Sequence, residues 1–184
     1  MTDLGHLRDI RESELDLMLS WRNAPSVRAN MYTRHEISAA EHQAWWQRTA
    51  QRDDRRYFMY ERDGVPSGIV GFTAIDHVNG NCSWAFYAAT DAARGTGSRM
   101  EYLALEHVFE TMGLRKLYCE VLAFNAAVIT LHRKFGFQVE GRFREHHAAD
   151  GEHVDIFRLG LLAPEWAVRR QEMLGKLTRT NRTQ

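Results

Sequence analysis

The feature that most constrains this chain is a glycine-containing turn between a strand-like segment and an amphipathic helix. Residues 81–89 read NCSWAFYAA, a run rich in strand-favouring side chains, and residues 91–101 read DAARGTGSRME. The apolar positions after this turn recur at the spacing of one helix face: Met100, Leu103, Ala104, Val108 and Met112. The first turn of such a helix presents unpaired N–H groups, which favour an anion and above all a phosphate. Gly95 and Gly97 let the backbone bend there, so the segment predicts a phosphate-binding turn.

A second motif follows at residues 125–137, which read NAAVITLHRKFGF. Asn125 suits the N-cap of a helix, and Gly136 is the usual kind of residue at which a helix ends. Each motif alone is an ordinary turn or an ordinary amphipathic helix. Their occurrence in this order is more specific than either one.

Together the two motifs resemble the acetyl-CoA-binding core of the GCN5-related N-acetyltransferases (GNAT). In that superfamily an R/Q-x-x-G-x-G/A loop cradles the pyrophosphate of coenzyme A, and a later N-x-x-A-x-x-L-Y-x-K-x-G-F helix holds the pantetheine arm. This chain departs from the pattern where Arg99 replaces a small residue and where His132 stands in place of tyrosine. The resemblance implies acetyl-CoA as co-substrate, no metal, and these cofactor-binding residues: Phe86, Tyr87, Ala88, Arg94, Gly95, Thr96, Gly97, Ser98, Arg99, Asn125 and His132.

Hydrophobic periodicity and turn signals predict the element order β-α-α-β-β-β-α-β-α-β-β. This mixture of hairpins and crossovers favours an α/β (α+β) fold with a mixed sheet. The resemblance implies a central sheet of about seven strands, splayed between the fourth and fifth and flanked by about four helices. Those two strands are residues 82–88 and 116–122. The splay would free backbone groups for the pantetheine arm to pair with, like an added strand.

Length and composition narrow the class of protein. A chain of 184 residues, 44% hydrophobic and 26% charged, suits a soluble globular domain. We expect one acetyltransferase domain at 1–162, followed by a basic C-terminal helix or tail at 163–184. The 24 basic and 24 acidic residues balance, which argues against nucleic acid as a partner. Two cysteines make no disulfide scaffold, and the sequence has neither a signal-peptide pattern nor a long apolar run, so we expect a cytoplasmic protein with no membrane partner.

Acyl transfer from a thioester to an amine benefits from an acid for the leaving thiolate and a base for the amine. The resemblance places His132 at the position of the family's leaving-group acid, and histidine donates a proton near neutral pH more readily than tyrosine. The alternatives are that His132 only hydrogen-bonds the sulfur or packs there. Glu120, in the predicted strand opposite, is the candidate base, and its alternative is a surface carboxylate.

The substrate is indicated by residues 21–46, a segment unusually rich in polar and aromatic side chains. Arginine and histidine suit a diphosphate, whereas tyrosine, methionine and tryptophan suit stacking on a nucleobase. Over about residues 4–160 the chain resembles the N-acetyltransferases that act on UDP-4-amino-4,6-dideoxy-N-acetyl-β-L-altrosamine in bacterial pseudaminic acid biosynthesis, which serves flagellin glycosylation. The resemblance implies direct acetyl transfer to the 4-amino group of a UDP-linked amino-dideoxy sugar in a ternary complex. It also implies these substrate-binding residues: Arg22, Met31, Tyr32, His42, Trp45, Thr73 and Tyr87.

Several interpretations stay open at this point. Trp45 and Trp46 point about 100° apart on a helix, so only one of them lines a cleft, and we assign Trp45. Met31 and Trp45 have core packing as an alternative role, and Arg22 has that of a surface charge. The rival functions are acetylation of protein N-termini or of another small amine, and a catalytically silent acetyl-CoA-binding module. Aromatic residues near the C-terminus leave room for a homodimer.

Overall fold

Seven strands and six α-helices make up the part of the chain that the computed structural model describes, residues 4–179. The strands are β1 (His6–Asp9), β2 (Arg56–Arg62), β3 (Val65–Asp76), β4 (Asn81–Ala88), β5 (Lys116–Leu122), β6 (Gln138–Ala149) and β7 (Glu152–Leu162). The helices are α1 (Leu15–Asn23), α2 (Pro25–Arg28), α3 (Ala39–Ala50), α4 (Thr96–Glu106), α5 (Ala126–Phe135) and α6 (Ala163–Arg179). A 3₁₀ turn at Glu12–Glu14 precedes α1, and a π-helical turn at His107–Thr111 extends α4.

The strands form one mixed sheet in the order β1-β2-β3-β4-β5-β7-β6. Neighbouring strands are antiparallel except β4 and β5, which are parallel. These two strands pair only over Asn81–Ser83 and Lys116–Tyr118. The predicted mixed sheet of seven strands with a splay between the fourth and fifth is therefore confirmed.

The two hairpin turns form where Asp-Gly dipeptides predict them. Asp63 and Gly64 have φ angles of 52° and 75°, and Asp150 and Gly151 have φ angles of 52° and 85°. Two successive residues with positive φ match the twist of the flanking strands, and glycine adopts this conformation at little cost. Local sequence chemistry thus fixes the pairing of β2 with β3 and of β6 with β7.

The expectation of about four helices is too low for the described chain. The predicted element order has two helices between the first and second strands, but a third, the one-turn helix α2, starts at Pro25, because the fixed φ and missing N–H of proline suit the first helical position. The C-terminal basic segment forms α6 as far as Arg179, and the rest of that segment lies outside the described residues. Trp166 and Met173 of α6 are buried in the main core, so this helix packs as part of the domain.

Helices cover the sheet on both faces. The main core packs Phe72 of the sheet with Met100 of α4, Phe135 of α5 and Trp166 of α6. A smaller core lies on the other face of the sheet. There Ile69 of β3 packs against residues of α1 and α3: Met18, Trp21, Trp45 and Trp46. The splay between β4 and β5 therefore lies between two helical layers. No helix in this described region combines the length and apolar character that crossing a membrane requires.

Candidate active site

A cavity of about 250 Å³ lies where β4 and β5 diverge. Three elements of the GNAT resemblance meet in its wall: the end of β4, the facing part of β5 and the helix α5. The cavity is lined by these predicted cofactor residues: Phe86, Tyr87, Ala88, Asn125 and His132. The Asn125 side chain caps α5 by accepting a hydrogen bond from the Val128 N–H, and Gly136 ends the helix in the left-handed conformation. Both predicted ends of α5 are thus confirmed.

The predicted phosphate turn forms the N-terminus of α4. Gly95 has a φ of 86°, which places it in the left-handed region at the N-cap. The N–H groups of Gly97 and Ser98 face no backbone acceptor among residues 4–179. An added Cβ on Gly97 would lie 3.5 Å from Phe86 Cε2, so the turn adjoins the cavity wall. This arrangement can hold an anion at the edge of the splay.

Arg99, the departure from the loop pattern, folds back onto the turn. Its side chain is 6% exposed, and its Nη1 donates a hydrogen bond to the Arg94 carbonyl oxygen at 3.1 Å. Arg94 itself is exposed. The long side chain at position 99 therefore braces the turn from within the protein.

His132 is buried beside a carboxylate that the sequence analysis missed. Its Nδ1 lies 2.9 Å from Oε1 of Glu101 on α4, and the two side chains are 3% and 0% exposed. Burial alone would lower the pKa of His132, but the Glu101 carboxylate, with a contribution from the Cys119 thiol, raises it to about 10. The signal in the sequence was a glutamate at the core-facing spacing of α4, with Leu105 and Val108 on the same face.

Glu120 lies on β5 at the mouth of the same cavity. Its Oε2 accepts a hydrogen bond from the Tyr32 hydroxyl at 3.0 Å, and its Oε1 accepts one from Arg158 at 3.4 Å. Burial, together with the Glu120 charge, raises the pKa of Tyr32. Tyr32, one of the predicted substrate residues, therefore lies beside the candidate base.

A second cavity, of about 330 Å³, lies on the other face of β4, below α1 and α3. Five of the predicted substrate residues line it: Arg22, Met31, His42, Trp45 and Tyr87. His42 stacks on Trp45 with ring centroids 5.3 Å apart, and Tyr57 meets Trp45 edge-on at 5.0 Å. Trp45 rather than Trp46 belongs to the lining, which also includes residues the sequence analysis did not single out: Met18, Glu41, Arg48 and Tyr57. Thr73 instead pairs with Ser83 in the β3–β4 ladder.

Arg22 brings an unpaired cationic group to this cavity. Its Nη2 donates to the Thr33 carbonyl oxygen at 3.0 Å, whereas its buried Nη1 has no acceptor within the described residues. The buried Nε of Arg28 also lacks an acceptor there. Burial, and the nearby charge of Arg28, lower the pKa of Arg22. Arg22 and Arg28 are half-buried, and each has one buried N–H group without an acceptor in the described part of the chain, a setting that suits an anionic ligand.

The two cavities meet around β4. Met31, Ala85 and Tyr87 line both of them. A donor lying in the splay and an acceptor lying under α1 and α3 would therefore approach each other at these three residues. Burial raises the pKa of the Tyr87 hydroxyl, so this side chain is neutral at the junction.

Comparison with known proteins assigns the family. Residues 6–138 match the acetyltransferase (GNAT) domain model, which is well over half of the chain. The chain belongs to the GNAT family. This membership agrees with the splayed sheet and with the turn and helix motifs that frame the first cavity.

The relatives of this GNAT chain include spermidine acetyltransferases and an acetyltransferase named PseH. Spermidine N(1)-acetyltransferase of Escherichia coli K12 is 30% identical over 105 residues, covering 56% of each chain, so the match spans about half of that relative. Acetyltransferase PseH of Campylobacter jejuni is 23% identical over 139 residues, covering 76% of this chain and 86% of PseH. A spermidine N-acetyltransferase structure from Vibrio cholerae, in complex with CoA and spermine, superposes with a TM-score of 0.82 at 20% identity. It covers 88% of this chain and 96% of that one, which confirms the GNAT fold.

Proposed function

We propose that this protein is an acetyl-CoA-dependent N-acetyltransferase that acetylates the 4-amino group of a UDP-linked amino-dideoxy sugar, a step of pseudaminic acid biosynthesis for flagellin glycosylation. One observation supports this substrate class above all: Nη1 of Arg22 is buried in an aromatic cavity and has no acceptor among the described residues. A UDP-sugar supplies a diphosphate for that cation and a nucleobase for the rings of Trp45 and Tyr57. A cytoplasmic location and a homodimer belong to the same proposal.

Acetyl-CoA is proposed to occupy the first cavity, in the splay between β4 and β5, which we call the cofactor cavity. Its pyrophosphate would accept hydrogen bonds from the Gly97 and Ser98 N–H groups at the N-terminus of α4. Its pantetheine arm would pair with the β4 backbone beyond Ser83, where β5 no longer does. The Vibrio cholerae relative, whose structure contains CoA, shares this fold.

The chemistry follows from two groups that line the cavity in the splay, His132 and Glu120. The sugar amine attacks the thioester carbonyl carbon, a C–N bond forms, and the C–S bond breaks. His132 gives a proton to the departing thiolate, and Glu120 accepts the proton that the amine loses. An amine beside oxygen-bearing carbons has a pKa of roughly 8, so a modest base is sufficient near neutral pH.

The charges of the second cavity disfavour a polyamine. Two arginines, Arg22 and Arg48, line it against a single carboxylate, Glu41. A substrate carrying three or four positive charges would be repelled from these walls, whereas a diphosphate would be attracted. The spermidine acetyltransferases among the relatives therefore support the reaction type more than the substrate.

The test is free-thiol release from acetyl-CoA with three acceptors in parallel: the UDP-4-amino sugar, spermidine and a peptide amine. We expect release with the sugar. Arg22→Met, which keeps an unbranched side chain but removes the guanidinium group, should raise the sugar KM by roughly tenfold to a hundredfold, because a charged hydrogen bond contributes about 1.5–3 kcal/mol. Its matched control, Arg52→Met, removes an exposed arginine that pairs with Asp54 at 2.6 Å and should leave the KM unchanged. Release with spermidine or the peptide alone would contradict the proposed substrate.

A further inference from the structure

Glu101 is a fully buried carboxylate in the middle of the core face of α4. Its Oε1 lies 2.9 Å from His132 Nδ1, whereas its buried Oε2 has no hydrogen-bond partner among residues 4–179. An ionised carboxylate in such a place is very costly unless a cation is paired with it. His132 is the cation-forming group in contact with it.

The surroundings of His132 leave one ring nitrogen for the cofactor cavity. Glu101 contacts Nδ1 from α4, and the Cys119 thiol acts on the ring from β5. The remaining neighbours are aromatic rings with centroids 5.3, 6.1 and 5.1 Å from that of His132: Trp84, Phe86 and Phe137. Because Nδ1 is engaged by the carboxylate, Nε2 remains for the Cys119 thiol or for a ligand in the cavity that both residues line.

We propose that Glu101 is a positioning residue that fixes the His132 ring through Nδ1 and keeps it a doubly protonated imidazolium, with Nε2–H as the proton donor to the thiolate of coenzyme A. This inference rests on the proposed acetyl transfer. It identifies a residue far from His132 in sequence as a determinant of the acid. After the transfer, the neutral imidazole is reprotonated from solvent, which restores the ion pair with Glu101.

The electrostatics agree with this role. Burial lowers the pKa of His132, the Glu101 charge more than reverses this, and the resulting pKa is about 10 against an ordinary value of 6.5. Burial raises the pKa of Glu101, and the charges of His132 and Lys134 oppose that rise. The pair therefore shares one proton at neutral pH, and we assign it to the ring because the pKa of His132 lies well above neutral. A general acid must be protonated, so its activity persists below its pKa and disappears above it. In the native protein the acid should therefore stay active throughout the range from pH 7 to 9.

The first test needs no activity. Long-range ¹H–¹⁵N spectra of the imidazole groups, with His132 assigned by its loss in His132→Gln, report whether the ring is cationic. We expect a cationic ring at pH 8 in the native protein and a neutral ring in Glu101→Gln, whose amide oxygen still accepts the Nδ1 hydrogen bond. A neutral His132 in the native protein at pH 8 would overturn the inference, even if acetyl transfer is observed.

The second test is the pH profile of kcat. Without the carboxylate charge, the pKa of His132 should fall below its ordinary 6.5. At pH 8, kcat of Glu101→Gln should then be lower by at least about thirtyfold, and this loss should shrink as the pH falls towards 6. The matched control is Glu110→Gln, an exposed carboxylate in the turn that extends α4, and its profile should match the native one.

The outcomes separate the two proposals. If Glu101→Gln melts like the native protein but loses kcat equally at every pH, Glu101 has only a structural role. Absence of acetyl transfer to any amine, with a cationic His132 in the spectra, would contradict the proposed function and leave the Glu101–His132 pair established. Where the Glu101→Gln variant fails to fold, the native spectra alone decide the charge of the ring.

Discussion

At the scale of single residues, positions 97 and 99 determine the shape of the phosphate turn. Arg99 departs from the family pattern, yet its hydrogen bond to the Arg94 carbonyl oxygen directs it into the turn. Gly97 has room for a Cβ, with Phe86 Cε2 at 3.5 Å and Leu131 Cδ2 at 3.6 Å. These are ordinary van der Waals contacts, so alanine fits at this position. A larger branched side chain would press on Phe86, which lines the cofactor cavity.

The corresponding prediction concerns acetyl-CoA affinity. Gly97→Val should raise the KM for acetyl-CoA by about an order of magnitude or more, because its methyl groups displace Phe86 and disturb the turn that is proposed to bind the pyrophosphate. Gly97→Ala is the matched control and should change this KM little. The measurement is initial rate against acetyl-CoA concentration at saturating amine. An unchanged KM in the valine variant would mean that the pyrophosphate binds elsewhere.

At the scale of elements, α6 belongs to the main core although its sequence is basic. Trp166 is 0% exposed, its ring packs against Tyr102 and Phe135, and its Nε1 donates to Glu106 Oε1 at 3.0 Å. The helix also fixes the end of α5, because a Cβ on Gly136 would lie 2.6 Å from Arg169 Cδ. The C-terminal segment therefore holds in place the helix that carries His132.

This packing predicts a large effect of one substitution on stability. Trp166→Ala should lower the free energy of unfolding by about 3–5 kcal/mol, through loss of buried area and the cavity that remains. Val168→Ala, two positions along the same helix, changes a side chain of a residue that is 84% exposed and should have almost no effect. Urea denaturation followed by circular dichroism measures both. Equal stabilities of the two variants would show that α6 contributes little to the core.

Elements could be predicted where local chemistry determines them. Ser38 accepts a hydrogen bond from the Glu41 N–H at the start of α3, and β5 has the bounds that its apolar pattern predicts. Contacts between distant elements could not be predicted in this way. Glu101 meets His132 across 31 positions of the chain, and Tyr32 meets Glu120 across 88, so both contacts depend on how helices and strands pack. The cofactor motifs were therefore located from sequence, whereas the partners of the catalytic candidates were not.

At the scale of the whole molecule, the splayed sheet provides two cavities, the sites proposed for donor and acceptor. The cofactor cavity lies between β4 and β5, the second cavity lies under α1 and α3, and both reach Met31, Ala85 and Tyr87. With a ligand in each cavity, the thioester and the amine would meet directly. Holding both reactants at one junction supplies much of the rate by proximity and needs no acetylated form of the protein.

This arrangement predicts sequential kinetics. Initial rates measured with both substrates varied should give double-reciprocal lines that intersect, because the amine attacks acetyl-CoA while both are bound. Cys119 is the nucleophile that tests the alternative, since it lines the cofactor cavity and a thiol can accept an acetyl group. Cys119→Ser should retain the intersecting pattern and most of kcat. Parallel lines, with loss of activity in the serine variant, would instead indicate an acetyl-cysteine intermediate, and the two substrates would then take turns at the junction.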